Sequence, residues 1–251
     1  MPDHAAHGIE EGLVGHDVTS GRTSLYLNMA HTINTLLIDL DGCLVTPNLT
    51  RSIPHRVAQY AMKYLDYDVG TANAKCREAY RRNGTNLEGF LREGHAIDPD
   101  HYHAFIHAHL PYRTHLEKLP RLKRVLQTIP VAKYVFTNAD IKHTTTCLEM
   151  TDLADCFDGI ICFETLQERY TGPFTACKPK HVAMHLALDQ AKADPLTSLF
   201  FDDQPRNVHM GMDCGVRSVL VGDSEFATCE HFAHVPALHD LETKIFSSYF
   251  S

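Results

Sequence analysis

Hydrophobic and polar positions fall into three regimes along the chain. Leu36, Leu37 and Ile38 form an apolar run that stops at Asp39-Leu40-Asp41-Gly42, the pattern of a buried strand closing on two carboxylates and a turn. From Ile53 to about Leu122 the apolar residues recur at helical spacing instead, with Val57, Tyr60, Ala61, Tyr64 and Leu65 in one stretch and Phe105, Ile106 and Leu110 in another. Thr46 to Thr50 reads as a loop, and Asn83-Gly84-Thr85 as a turn between two helices. Beyond Leu122, short apolar runs alternate with helical patterns. Strands are predicted at Val131 to Phe136, Gly159 to Phe163, Ser198 to Phe201 and Arg217 to Val221, with a polar loop following the second of these through Thr175. Helices are predicted at about Asp140 to Met150, Pro179 to Lys192 and Arg206 to Met212.

This alternation predicts an α/β fold: a Rossmann-like parallel sheet with an all-helical segment inserted after its first strand. The core then comprises residues 31–50 and 122–251, and a helical cap domain covers 51–121. Residues 1–30 are polar, rich in Gly and His and without a steady period, so they are assigned to a flexible extension. The tail from Asp223 is read as a loop followed by a helix at Leu238 to Phe246.

Composition narrows the partners. The 251 residues carry a formal charge of -8, which disfavours a nucleic acid polymer, since phosphate binding leans on Lys and Arg. The eight cysteines are scattered, form no CxxC pair and follow no export signal, which points to reduced thiols. No apolar run approaches the ~20 residues of a membrane span. The expectation is a cytoplasmic protein, the nucleus also being open to it, that acts on a small molecule.

In an extended chain Asp39 and Asp41 point to one side and Leu40 to the other. Strands of a parallel sheet run the same way, so three polar strand ends gather on one edge: Asp39 with Asp41, Thr137 with Asn138, and Asp202 with Asp203. Four carboxylates so close repel unless a cation joins them, and Mg²⁺ suits a site of few protein oxygens completed by water and a phosphate. Asp203 is alternatively a cap for the following helix, and Thr137 or Asn138 a cap for theirs. Lys178 stands just before a helix. It supplies the positive partner that the acids and an incoming phosphate dianion require.

Together these residues resemble the four motifs of the haloacid dehalogenase-like hydrolase superfamily: Asp39 to Gly42, Thr137, the Lys178-Pro179 pair, and Asp202-Asp203 followed by Arg206-Asn207. The strings FTNAD from Phe136, ICFETL from Ile161, FFDD from Phe200 and NGTNLEGF from Asn83 are similar to its pyrimidine 5'-nucleotidase branch of the plant and fungal kind. The resemblance implies a Mg²⁺-dependent phosphomonoesterase acting on small phosphorylated metabolites, nucleoside 5'-monophosphates foremost; a sugar, lysophospholipid, pyridine-nucleotide, flavin or pyridoxal phosphate as substrate, a phosphomutase, and a catalytically silent binding protein are the alternatives. Asp39 is then the nucleophile and Asp41 the general acid and base. Thr137, Asn138 and Lys178 bind phosphate. Mg²⁺ is held by Asp39, the Asp41 carbonyl and Asp202, with Asp203 assisting directly or through water. Asp41 also favours an ester over a halide, because a halide leaves without a proton.

Other features are read as structural. His103 and His107 stand one helical turn apart, a metal-ligand spacing, but with no acid or cysteine nearby in sequence they are assigned to a solvated helix face. His181 and His185 are read the same way, and Cys43 as packing. Arg77, Arg81 and Arg82 precede the Asn83-Gly84-Thr85 turn as either a solvated face or substrate contacts. Arg82, Asn83 and Thr85 are carried forward as specificity candidates.

Overall fold

A computed structural model describes residues 32–222, 233–235, 237 and 238. The sheet has six strands in the order β3-β2-β1-β4-β5-β6, and all of its pairings are parallel. They are β1 (Thr35–Ile38), β2 (Ala132–Phe136), β3 (Gly159–Ile161), β4 (Ser198–Asp202), β5 (Arg217–Val221) and β6 (Ala233–Val235). Five fall where the apolar runs predict. The sixth lies in the tail read as a loop, and the helix expected at Leu238 to Phe246 lies almost wholly outside the described residues, as does the 1–30 extension.

β1 is central, with Leu37 paired to Tyr134 on one side and Phe200 on the other. Both faces are covered, so its residues are buried without alternation, as befits a parallel sheet. Leu36, Ile38, Leu199 and Phe201 pack on one face, beside Val125, Leu126, Cys147 and Leu148. Leu37, Phe136 and Phe200 pack on the other, beside Ala183, Met184 and Leu188. The strand period of two thus divides one continuous apolar run between two cores.

Between β1 and β2 the described chain is helical: α1 (Pro47–Thr50), α2 (Ile53–Tyr64), α3 (Val69–Asn83), α4 (Asn86–Arg92), α5 (Pro99–His107), α6 (Tyr112–His115) and α7 (Pro120–Thr128). α1 replaces the loop expected at Thr46 to Thr50, because Thr46 caps a single turn through the Asn48 amide and Pro47 fits its first position. α2 to α5 share a core of their own, including Val57, Ala61, Cys76, Phe90, Tyr102 and Ile106. Each large side chain there contributes about 1.5–3 kcal/mol of apolar burial.

The predicted Asn83-Gly84-Thr85 turn is a helix end followed at once by a helix start. Gly84 has φ 87°, and the Thr85 hydroxyl caps α4 by accepting from the Glu88 amide at 3.2 Å. A Cβ on Gly84 would press against Pro179 and come within 2.6 Å of the Lys178 carbonyl. Glu88, fully buried, ties α4 to the sheet side of the molecule: its carboxylate accepts from Lys180 Nζ at 2.6 Å and from the Thr175 amide and hydroxyl at 2.9 and 2.7 Å. Arg92 Nε completes the set at 2.6 Å.

After β2 come α8 (Ile141–Thr151), then α9 (Phe163–Gln167) beyond β3, α10 (His181–Ala191) and α11 (Pro205–Asp213). α9 occupies the start of the expected polar loop, where Cys162 and Thr165 form a reciprocal cap. Neither Thr137 nor Asn138 caps α8. Asp140 does, accepting from the His143 amide at 2.6 Å. Among the described residues no helix is long and apolar enough to cross a membrane.

Candidate active site

The three polar strand ends meet as the parallel topology requires. The β1 ladder runs one residue past the strand, Asp39 N–H donating to the Phe201 carbonyl at 2.9 Å, and this sets the Asp39 carboxylate beside β4. Lys178 Nζ bridges the two strand ends, 2.8 Å from Asp39 Oδ1 and 2.7 Å from Asp202 Oδ2, and its third donor goes to the Phe136 carbonyl at 2.8 Å. A lysine only 2 % exposed is rare unless paired, and here its ammonium is fully satisfied. Burial works against the charge, but Asp202 and Asp39 outweigh it and raise the Lys178 pKa.

Asp39, Asp202 and Asp203 each offer a carboxylate oxygen within 4.8 Å of the others. Burial pushes Asp39 well above the usual carboxylate range, with Asp202 and Asp203 adding to the rise against Lys178. Asp203 is raised to about 6, by burial first and then by Asp202. A cation among crowded carboxylates relieves their mutual repulsion. The residues therefore fit Mg²⁺: hard oxygen donors of high charge, open on one side to a cavity. Gly42 makes room at this point. Its φ is 90°, and a Cβ there would meet Asp203 Oδ2 at 2.5 Å. Asp203 does not cap α11; its Oδ2 accepts from Gln204 Nε2 at 2.8 Å.

Asp41 sits across from the lysine, held by a residue the sequence reading left unnoticed. His143 Nε2 lies 3.1 Å from Asp41 Oδ1, and Tyr112 Oη lies 2.8 Å from the other ring nitrogen. Burial raises Asp41, but the charge and hydrogen bond of His143 outweigh it and leave the pKa lowered. Burial likewise opposes the imidazolium, yet Asp41 raises His143 well above its ordinary value. Each thus favours the charged form of the other, and the two titrate as a unit.

Thr137 is buried, and its hydroxyl accepts from the Ala139 amide at 3.1 Å while facing the cavity. Asn138, expected to contact phosphate, lines the cavity and is also engaged with Lys178. Its amide nitrogen donates to the Lys178 carbonyl at 3.0 Å and its oxygen accepts from the Lys178 N–H at 2.8 Å, so the side chain positions the lysine.

The cavity between the strand ends and the inserted helices has a volume of about 800 Å³. Of the three specificity candidates, only Thr85 lines it. Arg82 is exposed and pairs with Glu78 at 2.9 Å, and Asn83 turns back to the Ala79 carbonyl at 3.0 Å, so neither lines the cavity. Arg77 and Arg206 do. Arg206 stacks on Tyr80, 4.1 Å from its ring centre, and donates to the Tyr80 and Gly84 carbonyls at 2.8 and 3.2 Å.

His103 and His107 are not a solvated face. Both line the cavity, and Asp140 supplies the acid that sequence proximity did not: Oδ2 is 2.6 Å from His107 Nδ1 and 3.8 Å from His103 Nδ1. Their i, i+4 spacing was visible, but the acid lies 33 residues beyond His107 and only the fold brings it close. His181 and His185 are exposed as expected. Cys43 packs against the core, and the seven cysteines among the described residues are free thiols.

Residues 33–215 match the family model of the haloacid dehalogenase-like hydrolases. Phosphate metabolism protein 8 of Saccharomyces cerevisiae is 25% identical over 167 residues, covering 62% of this chain and 50% of the yeast protein, so the chain spans about half the length of that curated relative. Among solved structures, the HAD phosphatase of Thermococcus onnurineus is similar at a TM-score of 0.57 and 17% identity, covering 87% of this chain and 100% of its own. The HAD-hydrolase YfnB of Bacillus subtilis, solved bound to magnesium, is similar at 0.53 and 13% identity over 84% of this chain and 97% of its own. L-2-haloacid dehalogenase of Xanthobacter autotrophicus follows at 0.51 and 16% over 83% and 96%. At these identities the structural likeness speaks for the fold alone.

Proposed function

Because the chain belongs to the haloacid dehalogenase-like hydrolases, we propose that it is a Mg²⁺-dependent phosphomonoesterase working through an aspartyl-phosphate, with nucleoside 5'-monophosphates, pyrimidine ones first, as substrates. The observation that carries this reading is the division of labour between the two aspartates. Asp39 is ion-paired with Lys178, and Asp41 is paired with His143, whose pKa it raises.

Asp39 attacks phosphorus, and the bond from phosphorus to the ester oxygen breaks. The leaving oxygen takes the proton that the Asp41 and His143 pair holds, delivered by Asp41. Asp41, again a base, then removes a proton from the water that opens the acyl phosphate and restores Asp39. Thr137 and Lys178 hold phosphate oxygens, Lys178 exchanging part of its contact with the acids for the incoming dianion. The carboxylates of Asp39, Asp202 and Asp203 and the Asp41 carbonyl would hold Mg²⁺. When bound, the ion keeps the acids ionised and shields phosphate charge from an anionic nucleophile.

A donor poised on the leaving-group side favours ester cleavage over dehalogenation. The helices of 51–121 act as a cap domain, and substrate choice lies in the cavity beneath them, whose size suits a small metabolite. The name of the yeast relative, with its reference to phosphate metabolism, agrees with this reading. The nucleotide preference rests on the FTNAD, ICFETL and NGTNLEGF strings.

The test is phosphate release by the purified chain over a panel of phosphorylated metabolites with Mg²⁺. Turnover that EDTA abolishes and Asp39→Asn removes is expected, with UMP and CMP ahead of AMP and sugar phosphates. Undiminished turnover in Asp39→Asn defeats the nucleophile assignment, and equal kcat/KM across nucleotides and sugar phosphates defeats the nucleotidase assignment.

A further inference from the structure

His103, His107 and Asp140 converge from two parts of the molecule. The histidines project from one face of α5, in the insertion, and Asp140 stands at the end of the β2 loop. One ligand atom from each lies within 4.8 Å of the others. This cluster is separate from the Asp39, Asp202 and Asp203 set and differs from it in kind, since imidazole selects zinc-like transition ions where carboxylates alone select Mg²⁺.

A second observation points to a ligand. His103 is 9% exposed, and neither of its ring nitrogens has a hydrogen-bond partner among the described residues. A buried polar group left without a partner destabilises the fold unless a ligand satisfies it. Burial lowers its pKa to about 4, so the ring is neutral and offers a lone pair. The support expected around a metal ligand is also in place. Asp140 Oδ1 is fixed by the His143 amide at 2.6 Å, which leaves Oδ2 toward the histidines.

We propose that His103, His107 and Asp140 form a transition-metal site of the Zn²⁺ type that joins the inserted helices to the sheet, its remaining coordination position facing the cavity. Two ligand atoms about 2.0 Å from a tetrahedral ion stand about 3.3 Å apart. The observed separations from Asp140 Oδ2, 2.6 and 3.8 Å, bracket that value, and the two histidine nitrogens lie within 4.8 Å of each other. The ion replaces the hydrogen bond between His107 Nδ1 and Asp140 Oδ2, the imidazole then carrying its hydrogen on Nε2. With three protein ligands, the fourth position is left to water or to a substrate group.

Co²⁺ titration of the full chain in excess Mg²⁺ tests the site. One equivalent with the strong visible bands of tetrahedral cobalt is expected, retained in Asp39→Asn and in the surface variant His181→Ala. His103→Phe keeps the ring volume beside Phe163, and His107→Gln provides a second variant. Each is expected to weaken Co²⁺ binding by at least about 100-fold, the upper end of what losing an outer-shell partner costs. Circular dichroism checks that both are folded. Absence of tetrahedral bands in the folded parent chain overturns the proposal, as do bands that survive in a folded His103→Phe or His107→Gln chain or that vanish in Asp39→Asn or His181→Ala.

Discussion

Asn138 and Lys178 exchange two hydrogen bonds, one in each direction, through the Asn138 side chain and the Lys178 backbone. The amide imitates a strand partner and fixes the lysine at a place where no strand continues. Asn138→Ala is expected to lower kcat/KM about 100-fold, the scale of loss when a catalytic group is misplaced by about an ångström. Steady-state kinetics on an aryl phosphate measure it, and Asn138→Asp, which keeps the acceptor for the Lys178 N–H, is expected to recover part of the loss.

Asp41 is expected to matter in proportion to the need for a proton. In Asp41→Asn, turnover of an alkyl ester such as a nucleoside 5'-monophosphate falls about 10²–10⁴-fold, the usual share of general acid catalysis. An aryl phosphate with an acidic leaving group loses less in its first step. Phosphate-release and phenol-release rates, followed side by side, separate the two.

Gly84 is expected to tolerate no side chain. Gly84→Ala has a φ of 87° to accommodate and a Cβ against Pro179 and the Lys178 carbonyl. Overpacking and left-handed strain together cost about 2–4 kcal/mol. Urea denaturation shows this as a lower midpoint at unchanged slope.

Glu88 gives the acid side of the stability curve a definite sign. Burial pushes its carboxyl up, but Lys180, Thr175 and Arg92 outweigh burial and lower the folded pKa. The stabilisation is present above about pH 4.3, the ordinary glutamate value, and is lost as pH falls through the lower folded value. Glu88→Gln is expected to cost about 2 kcal/mol at neutral pH, the worth of hydrogen bonds to a charged group. It is also expected to flatten the pH dependence in that acid window, as measured by urea melts at successive pH values.

The sheet is legible because β1, β2 and β4 contain apolar runs that end in polar residues and β5 one that ends at a glycine, patterns local enough to read directly. The polar edge followed from topology alone: once the strands are parallel, Asp39, Thr137 and Asp202 meet. β6, three residues on the sheet edge, carries no run long enough to signal itself. His143 was invisible for a different reason. It lies 102 residues from Asp41, in a helix whose pattern accounts for it as an ordinary buried position. Thr137 and Asn138 are competent caps, and only tertiary contacts commit them elsewhere and leave Asp140 to cap α8. Arg82 and Asn83 illustrate the converse: proximity to a turn does not say which way a helical side chain faces.

Arg206 stands three residues beyond Asp203 and grips the final carbonyls of α3 and its turn while lying over Tyr80. The loop that carries the acidic pair is thereby fastened to the end of the inserted helix, so that any displacement of one from the other costs both hydrogen bonds and the ring contact.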